Sequence, residues 1–117
     1  MPGTVSWFEI PADDPQKLLS FYSAAFGWSA SRFGDMEYWL VDAGAGDNPI
    51  NGAILKRDQL KSTANTINVS SIDSAIAAVK AGGGTVLSDK MSIPTIGTFG
   101  YAADPEGNVF GIIERSK

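Results

Sequence analysis

Carboxylates and aromatic rings are the side chains that can do chemistry in this chain, because it contains no histidine and no cysteine. Without histidine, the commonest general base and the commonest transition-metal ligand are missing. Without cysteine, there is no thiolate nucleophile, no disulfide and no cysteine-held metal. Glu9 and Glu114 lie in strand-like stretches and are candidates for a general acid and base if both face one cavity. The alternative is that each glutamate pairs with Lys, Arg or a backbone N–H at the rim.

Trp7 stands two residues before Glu9, so the alternation of a strand puts an indole and a carboxylate on one face. This pair is unusual for a buried face and predicts that a site lies there. Trp7 is a candidate for stacking a planar ligand, and core filling is the alternative. Phe8 and Ile10 point to the other face, which we expect to pack under the helix that follows.

The composition is that of one soluble globular domain spanning residues 1–117, with 44% hydrophobic and 19% charged residues. A net charge of −4 argues against a nucleic-acid partner, because phosphate binding needs a basic surface. No apolar run is long enough to span a bilayer, and the first residues lack the basic start and apolar stretch of a signal peptide. We therefore expect a cytoplasmic protein with no membrane partner and no nucleic-acid partner.

One order of elements, a strand, a helix and three strands, occurs twice, over residues 4–56 and 65–115 approximately. The first helix begins at residues 13–15, where Asp can cap and Pro fits the first turn, and it ends at Gly27. The second begins after Ser71 and ends at residues 82–84, three glycines. Ile10 and Asp14 recur as Val69 and Asp73 at one offset, which supports an internal duplication.

Apolar periodicity predicts which residues form the core. In the first helix the expected buried stripe is Leu18, Phe21, Tyr22 and Ala25, and Phe21→Ala is expected to cost about 3–5 kcal/mol of stability. The full predicted core comprises Phe8, Ile10, Leu18, Phe21, Tyr22, Ile67, Val69, Ile76 and Val79.

Four short motifs lie toward the two ends of the chain, and the resemblance that they carry extends over nearly its whole length: FEIPADDP at residues 8–15, FY at 21–22 with FGW at 26–28, DPEGN at 104–108, and FGIIE at 110–114. With these motifs the chain resembles the vicinal oxygen chelate superfamily, the glyoxalase, bleomycin-resistance and extradiol-dioxygenase group. The resemblance implies an α+β fold of two βαβββ modules, with curled mixed β-sheets enclosing a cavity and both helices outside. It also implies a homodimer.

In metal-dependent members of this superfamily, four ligands come from the first and last strands of each module. Matched by position, Trp7 and Thr66 stand where histidines would be. Leu55 stands where Glu or Gln is usual, and Glu114 keeps the final carboxylate. One carboxylate cannot hold a catalytic divalent ion, so we expect no metal and no other cofactor. We expect the ligand-binding residues to be Trp7, Glu9, Thr66, Asn68 and Glu114.

Three functions remain open. The first is a metal-independent protein that binds a small molecule of unknown identity. The second is a small non-metal lyase or isomerase in which Glu9 or Glu114 is the catalytic acid or base. The third is a protein-interaction module with a vestigial cavity. The sequence favours binding over catalysis and favours a planar or cationic ligand over a phosphate ester, which two carboxylates would repel.

Overall fold

The computed structural model describes residues 3–44, 49–58 and 60–116. The chain divides into two compact units, Trp7–Thr63 and a second that joins Met1–Ser6 to Ala64–Lys117. Over the described ranges there are two helices and nine strands. They are β1 (Thr4–Ala12), α1 (Pro15–Phe26), β2 (Ser29–Arg32), β3 (Tyr38–Asp42), β4 (Asn51–Lys56), β5 (Ala64–Asn68), α2 (Ile72–Ala81), β6 (Thr85–Val86), β7 (Met91–Ile93), β8 (Gly97–Ala103) and β9 (Val109–Arg115).

The predicted α+β fold with a duplicated strand–helix–strands module is confirmed. The second copy carries one short strand, β7, that the sequence did not predict. The first residues of the chain belong with this second copy, where Gly3 donates its backbone N–H to the carbonyl of Asn68 at 2.7 Å.

In the unit of residues 7–63 the strand order is β2-β3-β4-β1. β1 and β4 are parallel, whereas β3 is antiparallel to both β2 and β4, so this sheet is mixed. Helix α1 covers one face of it. The core there is built on Ala12, Val41 and Ile54, against which Phe8, Ile10, Leu18, Leu19, Tyr22 and Trp28 pack. The predicted packing of Phe8 and Ile10 under the helix is confirmed.

Local sequence explains both ends of α1. The Asp14 carboxylate accepts the backbone N–H of Lys17 at 3.2 Å, which satisfies one of the donors left free in a first helical turn. Pro15 fits that turn because its missing N–H would have no partner there. Gly27 ends the helix with a φ of 76°, a left-handed conformation that glycine adopts without steric cost.

The prediction that Phe21 is buried is wrong, because 56% of this residue is exposed. Leu19 packs against the core in its place, together with Leu18 and Tyr22. Positions 15, 18, 19 and 22 also follow the helical period, so the buried stripe is rotated by about one position from the expected one. Phe21 lies beside it and contacts the edge of the Tyr22 ring, with centroids 5.1 Å apart.

In the unit that contains residues 64–117 the strand order is β5-β9-β8-β6, and β7 also pairs with β8. Ser71 caps α2 by accepting the N–H of Ser74 at 3.2 Å. Ile72, Ala102 and Ile112 form the buried core, with Val69, Ile76 and Val79 packed on it as predicted. Within the described parts of the chain, neither helix is long and apolar enough to cross a membrane.

Candidate ligand-binding site

A chain of hydrogen bonds joins Trp7, Tyr38 and Glu9 on the sheet face opposite α1. The Tyr38 hydroxyl donates to Oε2 of Glu9 at 2.5 Å. The same hydroxyl accepts the indole Nε1–H of Trp7 at 3.3 Å. Tyrosine thereby uses its donor and an acceptor position at once, and its ring and the indole have a defined orientation over the carboxylate.

Strand register brings these three residues together. Across β1, β4 and β3, Glu9 stands level with Ala53 and Leu40, and Pro11 stands level with Leu55 and Tyr38. Tyr38 therefore lies on the same face as Glu9, two strands away and one row along, and its hydroxyl reaches across β4 to the carboxylate. Phe33 contacts the Tyr38 ring edge-on from the other side, with centroids 6.3 Å apart.

The three hydrogen-bonded residues differ sharply in how deeply they are buried. Glu9 is only 3% exposed and is the one buried charged residue among those the structure describes, whereas Trp7 and Tyr38 are half-buried. A buried carboxylate is costly unless hydrogen bonds compensate it, and the Tyr38 hydroxyl supplies one. The arrangement thus links a buried carboxylate, through hydrogen bonds, to two half-buried aromatic side chains.

Glu114 does not lie on the face where the resemblance placed it. It alternates with Phe110 and Ile112, which pack against α2, so it lies on the helix-facing side of β9. Its Oε1 accepts the backbone N–H of Ile72, the first residue of α2, at 2.8 Å. The expectation that Glu114 faces a cavity is therefore corrected: its carboxylate satisfies a helix N-terminus.

Thr66 and Asn68 lie on the opposite face of their sheet from α2. Thr66 is level with Gly111 on β9 and with Tyr101 on β8. Asn68 is level with Ile113 and Phe99 in the next row. Thr66 is 2% exposed, and the Phe99 ring lies over Gly111, 2.7 Å from where a side-chain Cβ would stand.

The residues at the superfamily's ligand positions do not fit a divalent metal ion. Two ligands from neighbouring strands must be adjacent on one face. In register, the neighbour of Trp7 on β4 is Asn51, with Leu55 four residues farther along, and the neighbour of Thr66 on β9 is Gly111. An indole, an amide, a hydroxyl and a glycine offer none of the imidazole and carboxylate donors that such ions prefer.

The two other tryptophans, Trp28 and Trp39, belong to the core. Trp28 stacks on Tyr22, with centroids 4.5 Å apart and planes at 8°, on the α1 side of the sheet. Trp39 is 7% exposed, and Arg32 lies over its ring at 5.2 Å. A shallow open groove runs between α1 and the start of β2 and is lined by Leu19, Trp28, Ser20, Ser23 and Ser29. None of the three hydrogen-bonded residues, Trp7, Tyr38 and Glu9, lines this groove.

The fold and these strand positions define the class of protein. The Glyoxalase-like domain family matches residues 7–113, and the chain therefore belongs to this family, within the vicinal oxygen chelate superfamily. A glyoxylase-like domain-containing protein from Didymella fabae is 36% identical over 97% of this chain and 94% of its own. CFP32 from Mycobacterium bovis is 28% identical over 96% of this chain, which spans only 44% of that protein.

Solved structures of the same fold share little sequence with this chain. The Mn(II)-bound glyoxalase from Novosphingobium aromaticivorans has a TM-score of 0.72 at 16% identity, over 97% of this chain and 40% of that one. A methylmalonyl-CoA epimerase variant from Streptomyces coelicolor has a TM-score of 0.68 at 13% identity, over the full length of both. Likeness at these identities shows the fold alone.

Tyr38 is the site residue that sequence reasoning missed. Alternation along β3 puts its side chain on one face with Leu40 and Asp42, but no local pattern indicates that its hydroxyl reaches Glu9. Phe99 and Tyr101 were also missed, because the face of β8 that they occupy is set by its register with β9.

Proposed function

We propose that this glyoxalase-like domain is a metal-independent small-molecule binding protein whose ligand contacts Trp7, Tyr38 and Glu9. The observation that supports this proposal is the hydrogen-bonded chain from the Trp7 indole through Tyr38 to a buried carboxylate. Aromatic side chains already held in one orientation lose little freedom when a ligand stacks on them, and this lowers the entropic cost of binding.

The chemistry of the three residues favours a planar, cationic ligand. A flat ring can stack on the half-buried Trp7 and Tyr38 side chains. The Glu9 carboxylate beneath them attracts positive charge, and its effect is strengthened because water is largely excluded from it. A phosphate or carboxylate ligand would be repelled by the same group.

Benzamidine, a planar cation, and benzoate, its planar anionic counterpart, test this proposal. We expect benzamidine to raise the Tm progressively with concentration, as mass action requires, and benzoate to leave it unchanged. Trp7→Ala should abolish the shift, and Tyr38→Phe should weaken it because the ring loses both hydrogen bonds. Tyr22→Phe is the matched control, since Tyr22 packs on the α1 side. Equal responses to the two compounds, or an undiminished shift in Trp7→Ala, would overturn the proposal.

A second candidate function is proton transfer by Glu9. The observation that favours it is the short hydrogen bond from Tyr38, which links the carboxylate to a second group able to carry a proton. For a substrate found by turnover screening, Glu9→Gln is expected to preserve binding and lower kcat by about 10²–10⁴-fold. An unchanged kcat in Glu9→Gln would leave only the binding function.

We also infer a cytoplasmic homodimer that uses the outer face of α1. From Ser20 to Gly27 this helix carries no charged residue, although Phe21 and Phe26 are 56% and 66% exposed. A second copy can bury such a face without bringing charged side chains together. Sedimentation at micromolar concentration is expected to give twice the chain mass, and Phe26→Lys is expected to give the monomer. A wild-type monomer under these conditions would contradict the inference.

A further inference from the structure

The edge strand β2 carries a row of backbone hydrogen-bonding groups with which no other described strand pairs. β2 stands at the end of the strand order and is joined only to β3. Just beyond β2, Phe33 donates its N–H inward to the carbonyl of Tyr38 at 2.9 Å. Successive residues of an antiparallel strand point their N–H and C=O groups to alternate sides, so those of Ala30 and Arg32 point away from β3. An open row of this kind is a template for another extended chain.

Ala30 and Arg32 also direct their side chains toward the α1 side of the sheet. Ala30 is level with Val41, which belongs to the core under α1. Arg32 is level with Trp39 and lies over its ring. Ala30 lines the groove between α1 and β2, which holds about 440 Å³, within the range of natural ligand sites. A chain added to β2 therefore places every second side chain in or beside this groove.

The groove and the end of β2 differ in charge. Among the residues that the structure describes, no charged side chain lines the groove, and Leu19 and Trp28 give it apolar surface. The Arg32 side chain is 45% exposed and pairs with Glu37 at 3.4 Å, while its Nη1 group donates to no described residue. An exposed ion pair of this kind is weak, so the guanidinium can bind a second carboxylate.

We propose that an extended peptide segment of a partner protein binds to β2 as an additional strand of the sheet. Its backbone pairs with the N–H and C=O groups of Ala30 and Arg32. An aromatic side chain opposite Ala30 enters the groove beside Trp28, and an acidic side chain two residues away contacts Arg32. Such recognition takes its affinity from main-chain hydrogen bonds and its specificity from alternate side chains. The surface lies outside the proposed small-molecule site and does not depend on it.

The charge and size of the β2 side chains favour a foreign peptide over a second copy of this chain. Residues 29–32 of a second copy would bring two serines, an alanine and an arginine to the edge. They offer neither a large apolar side chain for the groove nor a carboxylate for Arg32. The dimer surface inferred on α1 is separate, because Phe21 and Phe26 are not among the described residues that line the groove.

A blocked heptapeptide, Thr-Asp-Thr-Phe-Thr-Asp-Thr, tests the proposal, because its acidic and aromatic side chains fit in either strand direction. We expect it to slow hydrogen exchange of the Ala30 and Arg32 amides by about tenfold or more. The amide of Ser31, which points inward to Leu40, should change far less. With both Asp residues of the peptide replaced by Asn, binding is expected to weaken about threefold. Unchanged exchange at Ala30 and Arg32 in millimolar peptide would overturn the proposal.

Two N-methylated forms of the peptide separate strand addition from other modes of binding. One form carries methyl groups on the amides of its Asp and Phe residues, and the other carries them on the amides of its Thr residues. An added strand donates to β2 from only one of these alternating sets. One form should therefore bind at least about tenfold more weakly than the parent peptide, and the other should bind equally well. Equal affinities of the two forms would contradict strand addition.

Ala30→Pro removes one outward donor from the protein itself, and proline is tolerated on an edge strand where the N–H faces solvent. Peptide binding is expected to weaken by about tenfold or more. Ala30→Val is the matched control, because valine keeps the N–H. Undiminished binding by Ala30→Pro would count against the proposal.

If the proline variant fails to fold, the exchange and N-methylation measurements on the wild type still decide. Exchange without peptide identifies the competing occupant. Slow exchange of the Ala30 and Arg32 amides that slows further with protein concentration would mean that a second copy pairs with β2, and the peptide proposal would be wrong.

Discussion

The carboxylate of Glu114 accepts a 2.8 Å hydrogen bond from the backbone N–H of Ile72, at the first residue of α2. This contact joins the last strand of the chain to the start of the second helix. A negative charge at that position also complements the positive end of the helix dipole. Glu114 is therefore a structural residue of the second unit, and Glu9 is the glutamate that we propose as part of the ligand-binding site.

Replacement of Glu114 by Ala is expected to lower the free energy of unfolding by about 1–2 kcal/mol, as for loss of a helix N-cap. Glu114→Gln should lose less, because its amide oxygen can still accept from Ile72. Urea unfolding followed by circular dichroism measures both, and Glu106→Ala, in an exposed turn, is the control. A full loss of benzamidine binding in Glu114→Gln would contradict the structural assignment.

Truncation of Phe21 tests the corrected phase of α1. Phe21→Ala is expected to change the free energy of unfolding by no more than about 0.5 kcal/mol in the monomer, because the ring is mostly in solvent. Leu19→Ala should cost about 2 kcal/mol or more, since Leu19 packs on the Val41–Ile54 core. Chemical denaturation at low protein concentration compares the two variants. A larger loss of stability in Phe21→Ala than in Leu19→Ala would support the buried stripe predicted from the sequence.

Thr95 is the one non-glycine residue with a positive φ, 67°, among those the structure describes. It follows Pro94 in the β7–β8 turn, where Ile96 donates its N–H to the carbonyl of Ile93 at 3.0 Å, as in a type II turn. A β-branched residue is strained there, so Thr95→Gly or Thr95→Asn is expected to stabilise the protein by up to about 1 kcal/mol. Thr98→Gly, inside β8, should destabilise it. Thermal unfolding of the three variants measures these changes in stability. If Thr95→Asn destabilises the protein, Thr95 is not strained in this turn.

Asp104 gives the protein a component of acid sensitivity. The side-chain amide of Asn108, followed by its backbone N–H, holds the pKa of Asp104 below the ordinary value of 3.8. A carboxylate with a lowered folded-state pKa contributes stability that is complete above 3.8 and is lost as the pH falls through the lowered value. Asp104→Asn should therefore flatten the decline of stability below about pH 4. Equal pH dependence in wild type and variant would remove Asp104 as a contributor.

The sequence by itself determined both helices, the strands other than β7, and their duplication. Asp14, Pro15 and Gly27 delimit α1 through local hydrogen bonds and backbone conformation, which depend on neighbours a few residues away. Ser71 and the three glycines do the same for α2. The absence of His and Cys decided the available chemistry before any contact was known. The motifs indicated the family for the same reason, because they are short and contiguous.

Only the tertiary structure decided which side chains meet. Alternation tells which residues of one strand share a face, but the register between strands determines that Tyr38 reaches Glu9 and that Gly111 is the neighbour of Thr66. Apolar spacing fits more than one rotation of α1, and packing against Val41 and Ile54 selected the one that exposes Phe21. Glu114 was matched to a cavity-facing ligand position by its place in a motif. The face that it occupies depends instead on which side of β9 is covered by α2. These contacts depend on residues far apart in the chain, so local sequence patterns do not predict them.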